Sequence, residues 1–399
     1  MAPALAARGH EVHALTINQQ APLPGVIVHC YKVGRGSSKD IHPWVVDIET
    51  KVLRGEDCAK AADRLNDAGF VPDVICAHPG WGEALFLREV WPAVPQLHYV
   101  EFFYASVGAD VGFDPEFGLP DFSMRSRVRL KNANNLLNLN VMDQGLSPTS
   151  WQRSTVPAKY REAITVIHDG VDTDVVKPDP AATFAWRSED GRDLAVSAGE
   201  QVLTFVNRNL EPSRGYHIFM RSLPELLFRH SKLQVLIVGG DDVSYGARPI
   251  AGSYKERFLT EVEDRIDPAR VHFLGRIPYA KYLNLLQVSM AHVYLTYPFV
   301  LSWSMLEAMS AGCLVIGSRT PPVEEVIVDG ENGLLVEFGS PIQIADAVTR
   351  VLSEPEVMGS IRKCARNTAI QNYDLRTLCL PKQIDLIESL VEAPSCKKY

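Results

Sequence analysis

Short apolar runs alternate with longer segments of helical spacing along the chain, and this pattern predicts an α/β protein. The apolar runs are bounded by glycine, proline or aspartate, as strands of a buried parallel sheet are. We predict strands at 11–17, 26–33, 74–77, 96–100, 164–167, 202–206, 234–238 and 314–316, and a strand with its turn at 271–277. The helical segments between them are typical of the crossovers that join parallel strands.

Helical spacing predicts helices at 3–7, 44–68, 124–131, 346–352 and 378–390, and one that ends near 228. The clearest helix begins near 303, where Ser302 or Ser304 can cap its first N–H groups, and Gly312 suits the left-handed residue that closes it. A strand precedes this helix and another follows it, so the segment forms a βαβ unit. The N-terminus of such a helix lies at the carboxyl edge of the sheet and favours an anion, for which a diphosphate is the obvious candidate.

The first helix, at 3–7, is followed by a glycine and a strand but has no strand before it. In doubly wound domains the first helix follows a central strand and a glycine-containing loop. We therefore expect the N-terminal domain to lack its first strand, and the functional protein to carry roughly 15–20 further residues upstream.

With 399 residues, of which 46% are hydrophobic and 22% charged, the chain has the composition of a globular protein of two domains. Its net charge of −8 argues against a general nucleic-acid binder, so we predict no nucleic-acid partner. The sequence contains no signal-peptide pattern and no apolar run of about 18 residues. We therefore predict a soluble, cytoplasmic protein that at most contacts the inner face of a membrane.

Seven cysteines lie far apart and form no Cys-x-x-Cys pair, which predicts free thiols rather than a zinc site or a disulfide framework. They are Cys30, Cys58, Cys76, Cys313, Cys364, Cys379 and Cys396.

The segment 296–336 resembles the retaining family-4, or group 1, glycosyltransferases, which have the GT-B fold and use nucleotide sugars. Their pattern has a glutamate, seven residues, a second glutamate and Ala-Met-x-x-Gly, then a strand and Glu-Val-Ile-x-Asp-Gly-x-Asn-Gly. The matching residues are Glu307, Ala308, Met309, Gly312, Glu325, Val326, Ile327, Asp329, Gly330, Asn332 and Gly333. At the position of the first glutamate the chain has Phe299.

The resemblance implies two doubly wound Rossmann-like domains with a cleft between them. The acceptor-side domain would span 1–175, the nucleotide-sugar domain 176–376, and a helix at 377–392 would pack back on the first domain. The resemblance also implies a hexosyltransferase that moves a sugar from a nucleotide-diphosphate sugar to a hydroxyl group, with retention of anomeric configuration. The acceptor would be a glycan, a lipid-linked or a small molecule, and no cofactor or metal would be required.

The resemblance places the diphosphate on two arginines that follow the strand at 202–206, Arg208 and Arg214, with an arginine for the usual lysine. An ion pair with Glu211 is the structural alternative for these arginines. Further donor contacts are implied at Gly239, Arg276, Ile277, Leu301, Ser302, Trp303, Ser304 and Glu307. Glu307 would bind the ribose, whereas the spacing Ser304-x-x-Glu307 also matches a helix capping box.

Glu101 follows the strand at 96–100, where the resemblance implies a residue close to the reacting sugar, and a buried structural acid is the alternative. Because Phe299 replaces a carboxylate and cannot accept hydrogen bonds from the sugar, we expect Glu101 and the backbone N–H groups of 300–304 to contact the sugar instead. His78 lies at a neighbouring strand end and is a second candidate. His98 is predicted to be a packed core residue.

Three other motifs have two readings each. A basic segment, Arg125, Arg127, Arg129 and Lys131, suits an anionic membrane or acceptor, or is a solvated helix face. The triplet from Asp172 to Asp174 resembles a metal motif, but its setting before two prolines favours a turn. The glycines near 34–36 resemble a dinucleotide fingerprint without its third glycine, and we predict a loop there.

Two other functions are compatible with the sequence, a sugar-nucleotide epimerase of the same fold and a non-catalytic nucleotide-binding protein. Transfer to an added acceptor distinguishes the proposed transferase from both. The sugar, the base, the acceptor and the oligomeric state cannot be read from the sequence.

Overall fold

The structure is a computed structural model that describes residues 1–18, 21–188 and 191–392. The chain divides into two compact units. The first comprises Met1–Asp169 together with the segment that begins at Arg376, and the second comprises Gly170–Leu375.

The strands of the described residues follow the predicted apolar runs, apart from four that the sequence analysis does not predict. They are β1 (Val12–Thr16), β2 (Val26–Cys30), β3 (Ile75–Ala77), β4 (Gln96–Tyr99), β5 (Gln144–Ser147), β6 (Ile164–Val166), β7 (Thr183–Arg187), β8 (Asp193–Ser197), β9 (Val202–Asn209), β10 (Gln234–Gly240), β11 (Val271–Phe273), β12 (Ala291–Tyr294), β13 (Leu314–Ser318) and β14 (Leu334–Val336). The unpredicted strands are β5, β7, β8 and β14. Of these, β7 and β8 form an antiparallel ribbon at the start of the second unit. Its signal in the sequence is an apolar and polar alternation on either side of an Asp-Gly dipeptide.

The α-helices lie between the strands, as the crossover pattern requires. They are α1 (Ala2–Ala7), α2 (Val46–Asp67), α3 (Leu87–Val90), α4 (Phe122–Val141), α5 (Ser150–Thr155), α6 (Ala158–Arg161), α7 (Tyr216–Arg229), α8 (Tyr254–Thr260), α9 (Tyr279–Val288), α10 (Trp303–Ser310), α11 (Pro321–Glu324), α12 (Pro341–Ser353), α13 (Pro355–Tyr373) and α14 (Leu380–Glu392). None of the helices in the described part of the chain has the length and apolar character needed to cross a membrane.

The second unit is built on one six-stranded sheet with the order β11-β10-β9-β12-β13-β14, in which every neighbouring pair is parallel. Its central strands are apolar on both faces, and Leu203, Phe205 and Val293 are almost completely buried. This burial explains why these strands read as continuous apolar runs rather than as alternating ones. Because the strands are parallel, the segments that follow β9, β10, β11 and β12 all emerge at the same edge of the sheet.

The strands of the first unit form two separate parallel sheets, one of β1 and β2 and one with the order β3-β4-β5-β6. Within the described residues, no strand pairs with both of these sheets. Helix α14 belongs to this unit, because Ile387 packs in the same apolar cluster as Leu97 and Leu146. Gln383 on the same helix donates a hydrogen bond to the carbonyl of His168 at 3.1 Å.

Two of the weaker motifs have a structural explanation. The chain around 34–36 is a loop and α2 begins only at Val46, which confirms the loop prediction. The acidic triplet lies in a turn, where the N–H of Val175 donates to Asp172 Oδ1 at 3.3 Å and Thr173 Oγ1 donates to Asp374 Oδ2 at 2.5 Å. The turn interpretation is therefore confirmed.

The described cysteines are free thiols, as predicted. Cys396 lies outside the described residues.

Candidate functional site

The predicted donor residues of the second unit lie at or just after the carboxyl ends of β9, β10, β11 and β12. Since these strands are neighbours in one parallel sheet, the fold brings segments that are distant in the sequence to one edge. The residues concerned are Arg208, Arg214, Gly239, Arg276, Ile277, Leu301, Ser302, Trp303, Ser304 and Glu307.

Arg214 lies in a 3₁₀ turn directly before α7, and its side chain is buried, with 7% of its surface exposed. Its Nη1 donates to Thr296 Oγ1 at 2.8 Å and to the carbonyl of Val300 at 3.1 Å. The hydroxyl of Tyr294 lies 3.4 Å from the same nitrogen. The guanidinium therefore fixes the loop that joins β12 to α10, and each of these partners is an uncharged group.

Two aromatic rings complete the surroundings of Arg214. Its guanidinium carbon lies 5.5 Å from the centre of the Tyr245 ring and 5.9 Å from that of Phe299, and cations are attracted to the faces of such rings. The two rings pack edge to face at 4.8 Å, and Phe299 is only 5% exposed. In the described residues, Arg214 forms no ion pair with a carboxylate.

Arg208 differs from Arg214 because its side chain is exposed. Within the described residues, that side chain makes no hydrogen bond and no ion pair. The proposed ion pair with Glu211 is wrong. Glu211 is buried and accepts hydrogen bonds from the N–H groups of Ser244, at 3.1 Å, and Tyr245, at 2.9 Å. Burial raises the pKa of Glu211, which the hydrogen bonds and the nearby Arg214 charge oppose.

Arg276 takes part in a polar contact at the same edge, and Gly239 lies against Leu210. Arg276 Nη2 donates to Asn209 Oδ1 at 3.0 Å, and Asn209 Nδ2 donates in turn to Ser244 Oγ at 2.8 Å. A Cβ atom at Gly239 would lie 2.7 Å from a methyl group of Leu210, so the close approach of the two segments requires glycine there. Ile277, which follows Arg276, packs against the core instead.

The N-terminus of α10 is capped by Ser302, one of the two serines predicted to cap it. Ser302 Oγ accepts from the N–H of Ser304 at 3.4 Å and lies 2.9 Å from Ser304 Oγ. The hydroxyl of Tyr294 accepts from the N–H of Ser302 at 2.7 Å. Leu301 is buried, whereas Trp303 is 57% exposed.

Glu307 does not form a capping box with Ser304, so that alternative is wrong. Its Oε1 accepts a hydrogen bond from the hydroxyl of Tyr279 at 2.7 Å, and its Oε2 accepts one from Tyr282 at 2.9 Å. Burial and the Glu307 carboxylate raise the pKa of both phenols, so both remain neutral donors near neutral pH. The sequence analysis missed these tyrosines. Their signal is an i, i+3 pair at the start of the helix that follows Arg276 and Ile277.

In the first unit, Glu101 follows β4 and its side chain is 43% exposed, so it is not a buried structural acid. Its Oε2 lies 3.5 Å from His78 Nε2. The His78 ring stacks between Trp81 at 4.5 Å and Tyr99 at 5.4 Å, which fixes the imidazole beside the carboxylate. Glu101 and His78 line one cavity, to which Lys51 also contributes.

His98 is a core residue, as predicted. It is completely buried, its Nε2 lies 3.0 Å from Gln96 Oε1, and burial lowers its pKa to about 4.

The four basic residues of α4 do not form one patch, contrary to the expectation. Arg125, Arg127 and Arg129 are exposed, but Lys131 turns inward. The Lys131 ammonium lies 3.5 Å from the centre of the Tyr104 ring, and burial lowers its pKa.

Comparison with known families covers both units. Residues 8–176 match the family model described as glycosyl transferase family 4 group, and residues 187–368 match the one described as glycosyl transferases group 1. The chain belongs to the group 1 glycosyltransferases.

Two bacterial glycosyltransferases are among the curated proteins to which this group 1 glycosyltransferase is similar. It is 27% identical over 238 residues to a GDP-mannose-dependent α-(1-6)-phosphatidylinositol monomannoside mannosyltransferase of Mycolicibacterium smegmatis, with 57% of each chain covered. It is 26% identical over 196 residues to a D-inositol 3-phosphate glycosyltransferase of Corynebacterium jeikeium, which covers 49% of the chain and 45% of the relative. The chain thus spans about half the length of the curated relatives it matches.

Among solved structures, the group 1 glycosyltransferase is similar to HepE of Anabaena in complex with UDP-glucose, with a TM-score of 0.62 and 16% identity. The match covers 92% of the chain and 87% of HepE. The fold is therefore GT-B, with two α/β units built on parallel sheets, as the sequence analysis predicted.

Proposed function

We propose that this group 1 glycosyltransferase moves a hexosyl group from a nucleotide-diphosphate sugar to an acceptor hydroxyl, with retention of anomeric configuration. The observation that carries the proposal is the pair of arginines at and just beyond the carboxyl end of β9. Neither Arg208 nor Arg214 forms an ion pair with a carboxylate within the described residues, so the charge of both can act on a diphosphate. The exposed arginine can contact the ligand directly, and the buried one supplies charge in a setting of low dielectric.

The proposed reaction needs no protein nucleophile. The acceptor oxygen bonds to the anomeric carbon on the face from which the diphosphate departs, while the bond from that carbon to the diphosphate oxygen breaks. The departing diphosphate takes the acceptor proton. The protein then contributes positioning and stabilisation of the charge that develops on the diphosphate, so we propose that no metal is required.

We assign the donor to the second unit and the acceptor to the first. In the first unit, the acceptor-side candidate is Glu101, fixed beside His78 at a strand end. Two relatives are named for acceptors that contain a phosphorylated inositol, which favours a small or lipid-linked polyol acceptor of that kind. HepE was solved with UDP-glucose and one relative is named as GDP-mannose-dependent, so both bases belong in the donor screen.

We also propose that α4 contacts an anionic membrane from the cytoplasmic side. The helix contains three exposed arginines and no acidic residue, although the whole chain has a net charge of −8. Leu119, shortly before the helix, is 80% exposed, and Phe122, its first residue, is 69% exposed, so exposed apolar and cationic side chains lie close together in the sequence. Such a surface suits the headgroup region of anionic lipids.

A thermal-shift screen of nucleotide sugars, followed by an assay with and without inositol phosphates and phosphatidylinositol, tests the activity. We expect one donor to raise the melting temperature and its sugar to appear on an acceptor. Isomerised donor without transfer would show an epimerase instead, and binding without turnover of any acceptor would show a non-catalytic nucleotide-binding protein.

Sedimentation with vesicles tests the membrane contact. We expect binding to vesicles that contain phosphatidylserine, weaker binding at high salt, and loss of binding in the triple variant Arg125→Gln, Arg127→Gln, Arg129→Gln. A matched variant with three exposed lysines replaced elsewhere, Lys39→Gln, Lys232→Gln and Lys382→Gln, is the control. Equal binding of both variants contradicts the contact.

A further inference from the structure

The carboxylate of Glu307 is held at both oxygens by tyrosines of one helix. Tyr279 and Tyr282 are one turn apart near the start of α9, and each donates its hydroxyl to a different oxygen. Both carboxylate oxygens are thus fixed by donors from a single neighbouring helix. A charged side chain on a short helix otherwise has free rotamers, so this arrangement defines where its unused lone pairs point.

We propose that Tyr279 and Tyr282 position Glu307 so that its two remaining acceptor sites receive the 2′ and 3′ hydroxyls of the donor's ribose. An ionised carboxylate has about four lone-pair sites, two on each oxygen. The two tyrosine hydroxyls occupy one lone-pair site on each oxygen, which leaves one free site on each oxygen. Two neighbouring ribose hydroxyls can therefore each donate to a different oxygen of the carboxylate. The inference rests on the proposed function and on the ribose contact that the family resemblance implies for Glu307.

The two tyrosines contribute differently because their burial differs. Tyr282 is 8% exposed and belongs to the apolar core, so it positions Glu307 from within the protein. Tyr279 is 56% exposed, and its hydroxyl lies at the surface where a ligand of Glu307 would bind. Both hydroxyls can only donate to the carboxylate, since the phenols stay protonated near neutral pH. The negative charge therefore remains on Glu307, where it strengthens hydrogen bonds from ribose.

The test is the discrimination between ribose and 2′-deoxyribose. Calorimetry gives the dissociation constants of UDP, GDP and their 2′-deoxy forms, and the ratio of the deoxy to the ribose value is compared for the base that binds more tightly. We expect a ratio of about tenfold or more in the parent, the scale of one charge-assisted hydrogen bond. Glu307→Gln should reduce this ratio to about one or two, because the charge is lost.

Tyr282→Phe and Tyr279→Phe should each reduce the ratio about fivefold, while the affinity for the deoxynucleotide changes little. Tyr254→Phe is the matched control, since Tyr254 lies on α8 and its hydroxyl donates to the carbonyl of Ala247. A variant that merely weakens packing would lower both affinities and leave the ratio unchanged. Because Tyr279 is exposed, its variant remains informative even where Tyr282→Phe folds poorly.

The outcomes separate this inference from the function on which it rests. Reduced ratios in Glu307→Gln and in the tyrosine variants, with an unchanged control, support the positioning role. A reduced ratio in Glu307→Gln with a parental ratio in both tyrosine variants overturns the positioning role and leaves the proposed function intact. A parental ratio in Glu307→Gln shows that Glu307 does not receive the ribose hydroxyls and overturns the inference, whereas no binding of either nucleotide to the parent contradicts the proposed function itself.

Discussion

The guanidinium carbon of Arg214 lies 5.9 Å from the centre of the Phe299 ring, at the position where the family pattern has its first glutamate. A carboxylate at 299 would lie beside a buried cation, whereas the phenyl ring adds no negative charge there, and Arg214 forms no ion pair with a carboxylate among the described residues. The substitution in the family pattern and the burial of Arg214 are therefore parts of one arrangement. They favour a site whose positive charge is kept for the diphosphate.

Phe299→Glu tests this arrangement. We expect the new carboxylate to pair with Arg214 and to weaken binding of UDP or GDP about tenfold, or about 1.4 kcal/mol. Calorimetry measures the effect, and Phe299→Leu is the control because it removes the ring without adding charge. Unchanged affinity in Phe299→Glu would argue that the charge of Arg214 does not reach the nucleotide. A changed preference among donor sugars would show that position 299 also faces the sugar.

The alanine variants of Arg208 and Arg214 should both bind the nucleotide diphosphate more weakly but should differ in stability. Arg208→Ala removes an exposed side chain without partners, so we expect a loss of about 1.5–3 kcal/mol in nucleotide-diphosphate affinity and stability within about 0.5 kcal/mol of the parent. Arg214→Ala also leaves the hydroxyl of Thr296 and the carbonyl of Val300 without their donor, and should lower the melting temperature as well. Calorimetry and thermal melting of the two variants check the contrast. Parental affinity in both variants would remove the basis for the diphosphate site.

Replacement of Glu101 should lower the turnover number without changing the affinity for the donor nucleotide. Glu101→Gln keeps the shape of the side chain and removes its charge, so we expect kcat to fall roughly 10–100-fold while the Kd of the donor nucleotide stays the same. Steady-state kinetics and calorimetry on the same preparation separate the two quantities. The control is Glu116→Gln, an exposed acid on the same unit. Parental kcat in Glu101→Gln would exclude Glu101 from the chemistry.

The first unit should lose stability as pH falls from 6.5 to 4. The pKa of His98 is about 4 in the folded protein and 6.5 when exposed, because burial disfavours the charged imidazole. The unfolded chain therefore binds more protons between these values, and a contribution of about 3 kcal/mol that is present above pH 6.5 is lost by pH 4.

Unfolding midpoints of the parent and of His98→Asn, followed across this pH range, check the contribution. We expect His98→Asn to be less stable at pH 7 and to show a shallower dependence on pH. His42→Asn replaces an exposed histidine and should keep the parental slope. An identical slope in His98→Asn would show that other groups control the acid sensitivity.

The sequence by itself determined most of the strand positions, the helix from Trp303 and the family. These features depend on local patterns, namely apolar runs, helical spacing and glycine at Gly312, which has a φ of +85° in the structure. They could be predicted because each is decided by residues a few positions apart. The cytoplasmic location and the upstream residues stay predictions.

Only the tertiary structure decided how the site residues are held. Arg214 meets the carbonyl of Val300 across 86 positions of sequence, and Glu307 meets Tyr282 across 25. No local pattern encodes such pairs, because they exist only once parallel strands bring their carboxyl ends to one edge. The same reason explains Lys131, where helical spacing alone could not show that one of four basic side chains turns inward onto Tyr104.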